Sequence, residues 1–136
     1  MKLIELIKGL WYRDMYVVLD GRVNSVTLSK SLYKNINSVS REDLSLHLFK
    51  SSDKGLYCFA FREDFQQLQE SDTLFTSLQY NKTYNKIGFQ TEMLPKLLYE
   101  YHLPSDVLAK LSVIPRKTKT GQTFYEIQRP AIKISQ

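Results

Sequence analysis

Two six-residue segments of this chain resemble each other at a spacing of 66 residues. Leu28–Tyr33 has the sequence LSKSLY and Leu94–Tyr99 has LPKLLY, so four of the six positions are identical. The same offset aligns three further pairs: Gly55 with Gly121, Phe59 with Tyr125, and Phe61 with Ile127. Recurrence at a fixed spacing is typical of duplicated units. Two copies in one chain predict a domain with pseudo-twofold symmetry, although short leucine-rich segments also resemble one another by chance.

The order of predicted elements repeats as well. In the first half, apolar alternation and turn residues predict strands at 15–19 and 23–28, a helix at 29–36 and strands at 44–49 and 56–61. In the second half they predict strands at 74–80 and 86–94, a helix at 95–102 and strands at 108–114 and 123–128, the last two joined by a turn at 115–121. Ser29 is a helix-capping residue and Pro95 suits a first helical position. A one-residue shift of the offset aligns Leu46 and Leu48 with Leu111 and Val113.

Other segments complete a one-domain plan. Apolar residues recur at helical spacing over 1–13, which predicts an amphipathic N-terminal helix. The first repeat then covers 14–62 and the second covers 73–136, with a basic hairpin and tail. The polar, glutamine-rich stretch at 63–72 forms a linker or a short helix. The predicted fold is therefore α+β, with a helix followed by two similar ββαββ units in one β-rich, pseudo-twofold domain.

Composition narrows the class of protein. The chain has 136 residues, of which 43% are hydrophobic and 24% charged, as in a compact globular domain and unlike a disordered chain. Cys58 is the single cysteine, so no intrachain disulfide forms. No apolar run has the length of a membrane span, and Glu5 and Lys8 interrupt the apolar N-terminus, unlike a signal peptide. We expect a cytoplasmic protein without a membrane partner.

The strand-to-helix junctions resemble a known family. Gly21-Arg22 followed by Val26–Lys30, and Met93–Lys96 in the second half, are similar to the AbrB/MazE swapped-hairpin DNA-binding proteins, in which a strand, a short helix and a β-hairpin form one unit. The first copy has Ser29 in place of the family's proline, and the second lacks the Gly-Arg step. The resemblance implies an interlaced β-structure and a DNA-binding regulator or antitoxin. Such proteins are homodimers, and here one chain would supply both halves.

Basic residues are the candidate contacts to nucleic acid. The net charge is +5, and 111–136 holds five Lys or Arg against one Glu. The resemblance places these residues on the DNA side: Arg22, Lys30 and Lys34 in the first copy and Lys82, Lys86 and Lys96 in the second. Independently of it, the densest basic patch is formed by Arg116, Lys117 and Lys119. Such side chains neutralise phosphates and release counterions, but they also occur as ordinary surface charge.

Motifs of catalysis and metal binding are missing from the sequence. His47, His102 and Cys58 fall in different predicted elements without metal-ligand spacing. No serine-nucleophile motif, paired carboxylates or glycine-rich phosphate loop is present. We therefore expect no enzyme, catalytic residue, metal or cofactor. The leading interpretation is a transcription regulator or antitoxin of a phage or mobile element that binds double-stranded DNA as a monomer or homodimer.

A protein-binding inhibitor of similar origin is the alternative interpretation. Nine Tyr and seven Phe in a small chain suit a surface that recognises another protein. The plentiful Lys, Asn and Ile and scarce Ala are typical of AT-rich coding sequences, such as those of phages and plasmids.

Overall fold

The computed structural model describes residues 3–4, 15–37, 45–52, 54–68, 74–77, 79–81, 86–106 and 108–130. These residues form ten strands and three helices, in a mixed α+β fold. In chain order the elements are β1 (Leu3–Ile4), β2 (Tyr16–Asp20), β3 (Ser25–Leu28), α1 (Lys30–Asn37), β4 (Ser45–Lys50), β5 (Tyr57–Phe61), α2 (Arg62–Leu68), β6 (Leu74–Ser77), β7 (Gln79–Asn81), β8 (Lys86–Gln90), α3 (Leu94–Glu100), β9 (Leu108–Lys117) and β10 (Thr123–Ile127).

One curled antiparallel sheet organises the molecule. Nine strands follow the order β6-β4-β5-β10-β9-β2-β3-β8-β7, and β1 pairs with β9. The two ends of this path, β6 and β7, are separated in sequence by residue 78 alone. The sheet therefore curls, so that its two end strands, β6 and β7, come close together.

Alternating apolar residues fill the inside of the curl. In β2, Val17 and Leu19 are buried while their neighbours are half-buried, as the period of two in a strand requires. Leu32 of α1 and Leu97 of α3 join the same core. The strand β5 is buried on both faces, because α2 packs Phe65 against its outer side. This second contact explains the continuous apolar sequence of β5.

The predicted helix starts lie within one residue of the observed ones, Lys30 for α1 and Leu94 for α3. The Oγ of Ser29 accepts hydrogen bonds from the backbone N–H of Leu32, at 3.2 Å, and of Tyr16, at 3.1 Å. Ser29 thus caps α1 and fastens it to β2. Pro95 lies in the first turn of α3, where its missing N–H costs no hydrogen bond. The segment that the sequence left between linker and helix forms α2 over Arg62–Leu68.

The predicted N-terminal helix is wrong at the two residues of 1–13 that the structure describes. Leu3 and Ile4 are extended and pair in parallel with Leu108 and Ala109. One edge of β9 pairs with β2 from Leu108 to Ser112, and the other pairs with β10 only from Val113 onward. That second edge is open at Leu108, so hydrogen bonding to it overrides the local helical pattern. The rest of 1–13 lies outside the described residues.

The predicted turn at 115–121 is too long. The strand β9 continues to Lys117, so Arg116 pairs with Phe124 and Lys117 with Thr123. Pro115 lies opposite Tyr125 of β10. On the β2 side, the last backbone hydrogen bond among the described residues runs from Val113 N to Met15 O at 2.9 Å, so no described strand pairing needs a donor at Pro115. The connection is the turn from Thr118 to Gln122, closed by Thr118 N donating to Gln122 O at 2.9 Å.

Candidate functional site

Arg22 and Lys96 lie at the same end of the β3–β8 pair. Ser25 pairs with Gln90 there, and the turn at 21–24 meets the chain entering α3 through Thr91 N, which donates to Asn24 O at 3.0 Å. Glycine is needed at position 21, because the Cβ of any larger residue would lie 2.4 Å from the backbone oxygen of Ser105 and clash with it. Lys96 is exposed on α3. The close packing fixes the position of the turn that carries Arg22.

A bidentate ion pair orients Arg22. Its Nε donates to Asp20 Oδ1 at 3.2 Å and its Nη2 to Oδ2 at 3.1 Å, while 58% of the arginine side chain stays exposed. The hydrogen bond from Arg22 holds the pKa of the Asp20 carboxyl below its ordinary value. Arg22 is thus presented to solvent in a defined orientation with part of its charge compensated.

Lys30 and Lys34 lie at the opposite end of the β3–β8 pair. Leu28 pairs with Ile87, so the start of α1 is next to the start of β8, whose first residue is Lys86. Lys30 and Lys34 are exposed and four residues apart, hence neighbours on one face of α1. The side chain of Lys86 and the whole of Lys82 lie outside the described residues.

The six residues suggested by the family resemblance are therefore divided. Antiparallel pairing of β3 and β8 sends α1 and α3 away from opposite ends of the pair. The structure brings Arg22 together with Lys96, and the backbone of Lys86 together with the helix that carries Lys30 and Lys34.

A third basic site is the β9–β10 hairpin. Arg116 Nη2 donates to Glu126 Oε1 at 3.2 Å, whereas Lys117 and Lys119 are exposed beyond it. Within the turn, Thr118 Oγ1 donates to Gln122 Oε1 at 2.7 Å and accepts from Gln122 N at 3.0 Å. These bonds hold the hairpin tip in one shape, so the two lysines extend from an ordered support.

A cavity on the outer face of the sheet was not predicted from the sequence. It has a volume of about 350 Å³, and Leu68 of α2 and Ser51, after β4, are among its lining residues. Glu126 is 2% exposed and faces Arg116 and Lys54, whose Nζ lies 3.8 Å from its Oε2. In the sequence Glu126 resembles an ordinary strand residue. Recognising that α2 covers the outer face would have indicated that Glu126 is buried.

Tyr101 forms a buried polar junction between α3 and the sheet. Its hydroxyl donates to Ile127 O at 2.6 Å and accepts from Tyr57 N at 2.8 Å. Burial raises the pKa of Tyr101 and that of Tyr57, and the neighbouring Glu100 carboxylate raises the pKa of Tyr57 further. The neighbouring Tyr57 hydroxyl is the largest cause that lowers the pKa of Glu100, and Lys50, whose Nζ donates to Glu100 Oε1 at 3.2 Å, lowers it further. The role of this junction is structural: it holds the end of α3 against β5 and β10.

Two kinds of feature, metal clusters and membrane-spanning helices, are missing from the described part of the chain. There, no cluster of three or more His, Cys, Asp or Glu side chains is arranged to hold a metal ion. None of the helices in the described ranges has the length and hydropathy needed to cross a membrane. Compared with protein-family models, curated proteins and solved structures, the chain matches none of them.

Proposed function

We propose that this protein is a non-enzymatic DNA-binding protein, a regulator or antitoxin in which one chain carries two ββαββ units of the AbrB/MazE swapped-hairpin kind. Two strand pairings support the duplicated layout. The strands before the two similar helices, β3 and β8, pair antiparallel, and so do β5 and β10. Equivalent strands pair in this way across a twofold axis. Phe59 faces Tyr125 in the second pairing, at the 66-residue offset.

The alignment of the strands before β5 and β10 requires one correction. Leu48 lies opposite Phe59, and Pro115 lies opposite Tyr125. The sequence alignment matched Leu48 with Val113. The strand pairing instead makes Leu48 equivalent to Pro115. The difference is two residues, which leaves the same side chains on the inner face because a strand repeats every two residues.

Four lysines on ordered supports are the observation on which the DNA-binding proposal rests. Lys30 and Lys34 project from α1, and Lys117 and Lys119 from the β9–β10 hairpin, all exposed. Among the described residues, none of the four forms an ion pair. Such ammonium groups can contact phosphates without breaking an ion pair to any of the described residues. Phosphate contacts of this kind supply affinity and little sequence information.

Binding to a mixed-sequence DNA duplex at two salt concentrations tests the proposal. We expect fluorescence anisotropy to detect binding at about 50 mM salt and a steep loss of affinity at about 200 mM, with a log–log slope of about −0.9 per phosphate neutralised. Undetectable binding at both concentrations would overturn the proposal in favour of the protein-binding alternative. Salt-independent binding would also contradict it, because phosphate contacts would then contribute little.

A further inference from the structure

Each of the two similar helices packs against the β-hairpin of the other half of the chain. The helix α1 contacts the β9–β10 hairpin, where Tyr125 Oη donates to Asn35 Oδ1 at 3.3 Å. The helix α3 contacts the β4–β5 hairpin, where Lys50 Nζ donates to Glu100 Oε1 at 3.2 Å. We name α1 with the β9–β10 hairpin the first surface, and α3 with the β4–β5 hairpin the second surface. In the duplicated layout proposed above, these two surfaces are equivalent.

Strand pairing identifies one pair of equivalent residues on the two hairpins. Lys50 pairs with Tyr57 on the second surface, and Lys117 pairs with Thr123 on the first surface. Tyr57 and Thr123 are related by the 66-residue offset. Lys117 is therefore the equivalent of Lys50.

The two helices carry opposite charges at one matched position. The same offset aligns Lys34 of α1 with Glu100 of α3. On the second surface, the Glu100 carboxylate is paired with Lys50 and also attracts Lys96, which lies four residues earlier on α3. On the first surface both corresponding residues are lysines, Lys34 and Lys117, and neither forms an ion pair within the described part of the chain. The place of an ion pair in one half is thus occupied by two like charges in the other.

We infer that the first surface binds a single DNA duplex and that the second surface binds none. The inference rests on the proposed function, and it makes the DNA contact asymmetric although the two halves of the chain are alike. Lys34 and Lys117 occupy positions that bring opposite charges together in the other half, so their ammonium groups repel each other until anions lie beside them. Neighbouring phosphates of one DNA strand supply those anions, and the exposed Lys30 and Lys119 extend the contact along α1 and the hairpin tip. At the equivalent place on the second surface, Glu100 repels a phosphate.

A charge reversal at Lys34 tests the geometry of the first surface without DNA. Lys34→Glu recreates on α1 the acid–base pair of the second surface, with Lys117 as the partner. We therefore expect this substitution to change the melting temperature at low salt by about 1–3 °C more favourably in the wild-type background than in the Lys117→Gln background. An equal change in both backgrounds would show that the two positions do not interact and would overturn the inference.

Lys30 and Lys96 provide a matched comparison with DNA present. They are exposed lysines at equivalent positions of α1 and α3, so Lys30→Gln and Lys96→Gln remove the same charge from the two surfaces. With a mixed-sequence duplex of about 12 base pairs, we expect Lys30→Gln to reduce the salt slope by about one and Lys96→Gln to leave it unchanged. Lys30→Arg keeps the charge and should keep the slope. Equal reductions by Lys30→Gln and Lys96→Gln, or a reduction by Lys96→Gln alone, would contradict the assignment.

The number of duplexes bound per chain separates failure of this inference from failure of the proposed function. When the same short duplex is added to saturation at about 50 mM salt, we expect one duplex per chain. Two duplexes per chain would overturn the inference and leave the DNA-binding proposal standing. A wild-type chain that binds no duplex would overturn the proposed function and, with it, the assignment of the first surface to DNA.

Discussion

Phe59 and Tyr125 face each other across β5 and β10 with their rings stacked, the centroids 5.2 Å apart and the planes inclined by 17°. Both side chains are fully buried. Phe59 also meets Phe89 of β8 edge to face at 6.1 Å. This aromatic contact joins the two halves of the chain inside the curl of the sheet.

Removing the Phe59 ring should be among the most destabilising single changes. We expect Phe59→Ala to lower the free energy of unfolding by about 3–5 kcal/mol, because it deletes apolar contacts and leaves a cavity. Urea unfolding measures the change. The matched control is Tyr99→Ala, at a side chain that is 81% exposed, where we expect a change within about 0.5 kcal/mol. A loss below about 1 kcal/mol for Phe59→Ala would contradict the central role of the ring stack.

Ser29 should be sensitive to two different substitutions. Ser29→Ala removes the acceptor of two backbone N–H groups and should cost about 1–2 kcal/mol. Ser29→Pro should cost more, because it also removes the backbone donor to Tyr16 O, a bond of 2.9 Å. A proline at position 29 could not form this bond, because it has no backbone N–H. Thermal unfolding of both variants checks the order. Equal stability of Ser29→Pro and the wild type would show that the bond to Tyr16 is dispensable.

The hydroxyl of Tyr101 should contribute more to the free energy of unfolding than the hydroxyl of an exposed tyrosine. Tyr101→Phe leaves Tyr57 N and Ile127 O without their partner, and we expect a loss of about 1–3 kcal/mol in unfolding free energy. Tyr99→Phe, at the exposed position, should have almost no effect. Similar values for the two variants in urea unfolding would contradict the importance of the junction.

The raised pKa of Tyr101 also predicts a pH dependence. Burial moves the folded-state pKa above the ordinary value of 10.0, so the unfolded chain loses this proton first. The stabilisation is complete below the unfolded pKa and is lost as the pH rises toward the folded pKa. Unfolding free energies measured from about pH 9 to about pH 11 should therefore fall less steeply for Tyr101→Phe than for the wild type. Parallel curves would mean that Tyr101 titrates alike in both states.

Substituting lysines in pairs should show which of them bind DNA. We expect Lys117→Gln with Lys119→Gln to weaken binding and to reduce the salt slope by about two, roughly one for each phosphate that is no longer neutralised. The same holds for Lys30→Gln with Lys34→Gln. The control pair Lys50→Gln with Lys54→Gln removes the same charge from the β4–β5 hairpin and should leave the slope nearly unchanged. An equal decrease in affinity from all three pairs would indicate that only net charge matters.

Local signals predicted most of the strands, the Ser29 cap of α1 and the position of Pro95 in the first turn of α3. The alternation in β2 and the Ser29 and Pro95 positions carry their information within a few residues, so α1, α3 and the hairpins could be predicted with small errors at their ends. The pairing of Leu3 and Ile4 depends on an open edge of β9 more than a hundred residues away, which no local pattern encodes.

The candidate sites differ in the same way. Exposed lysines such as Lys117 and Lys119 were visible as a charge cluster. The cavity around Glu126 was not, because it exists only where α2 covers the outer side of β5 and β10, and the sequence left that segment open between linker and helix. The sequence placed the start of a turn at Pro115. Pairing with β10, of Arg116 with Phe124 and of Lys117 with Thr123, extends β9 past this proline, and no local pattern encodes that pairing.

The position of β9 has a consequence for the order in which the chain is made. β9 is the shared neighbour of β1, β2 and β10, yet it occupies 108–117. At translation rates of about 5–20 residues per second, roughly 5–20 s separate the emergence of β2 from that of β9. Throughout that interval β1 lacks its partner and β2 keeps one edge unpaired, and such edges invite association with other chains. A chain truncated before residue 108 would lack β9, so β1 would have no partner strand and one edge of β2 would keep its backbone groups without hydrogen bonds to β9.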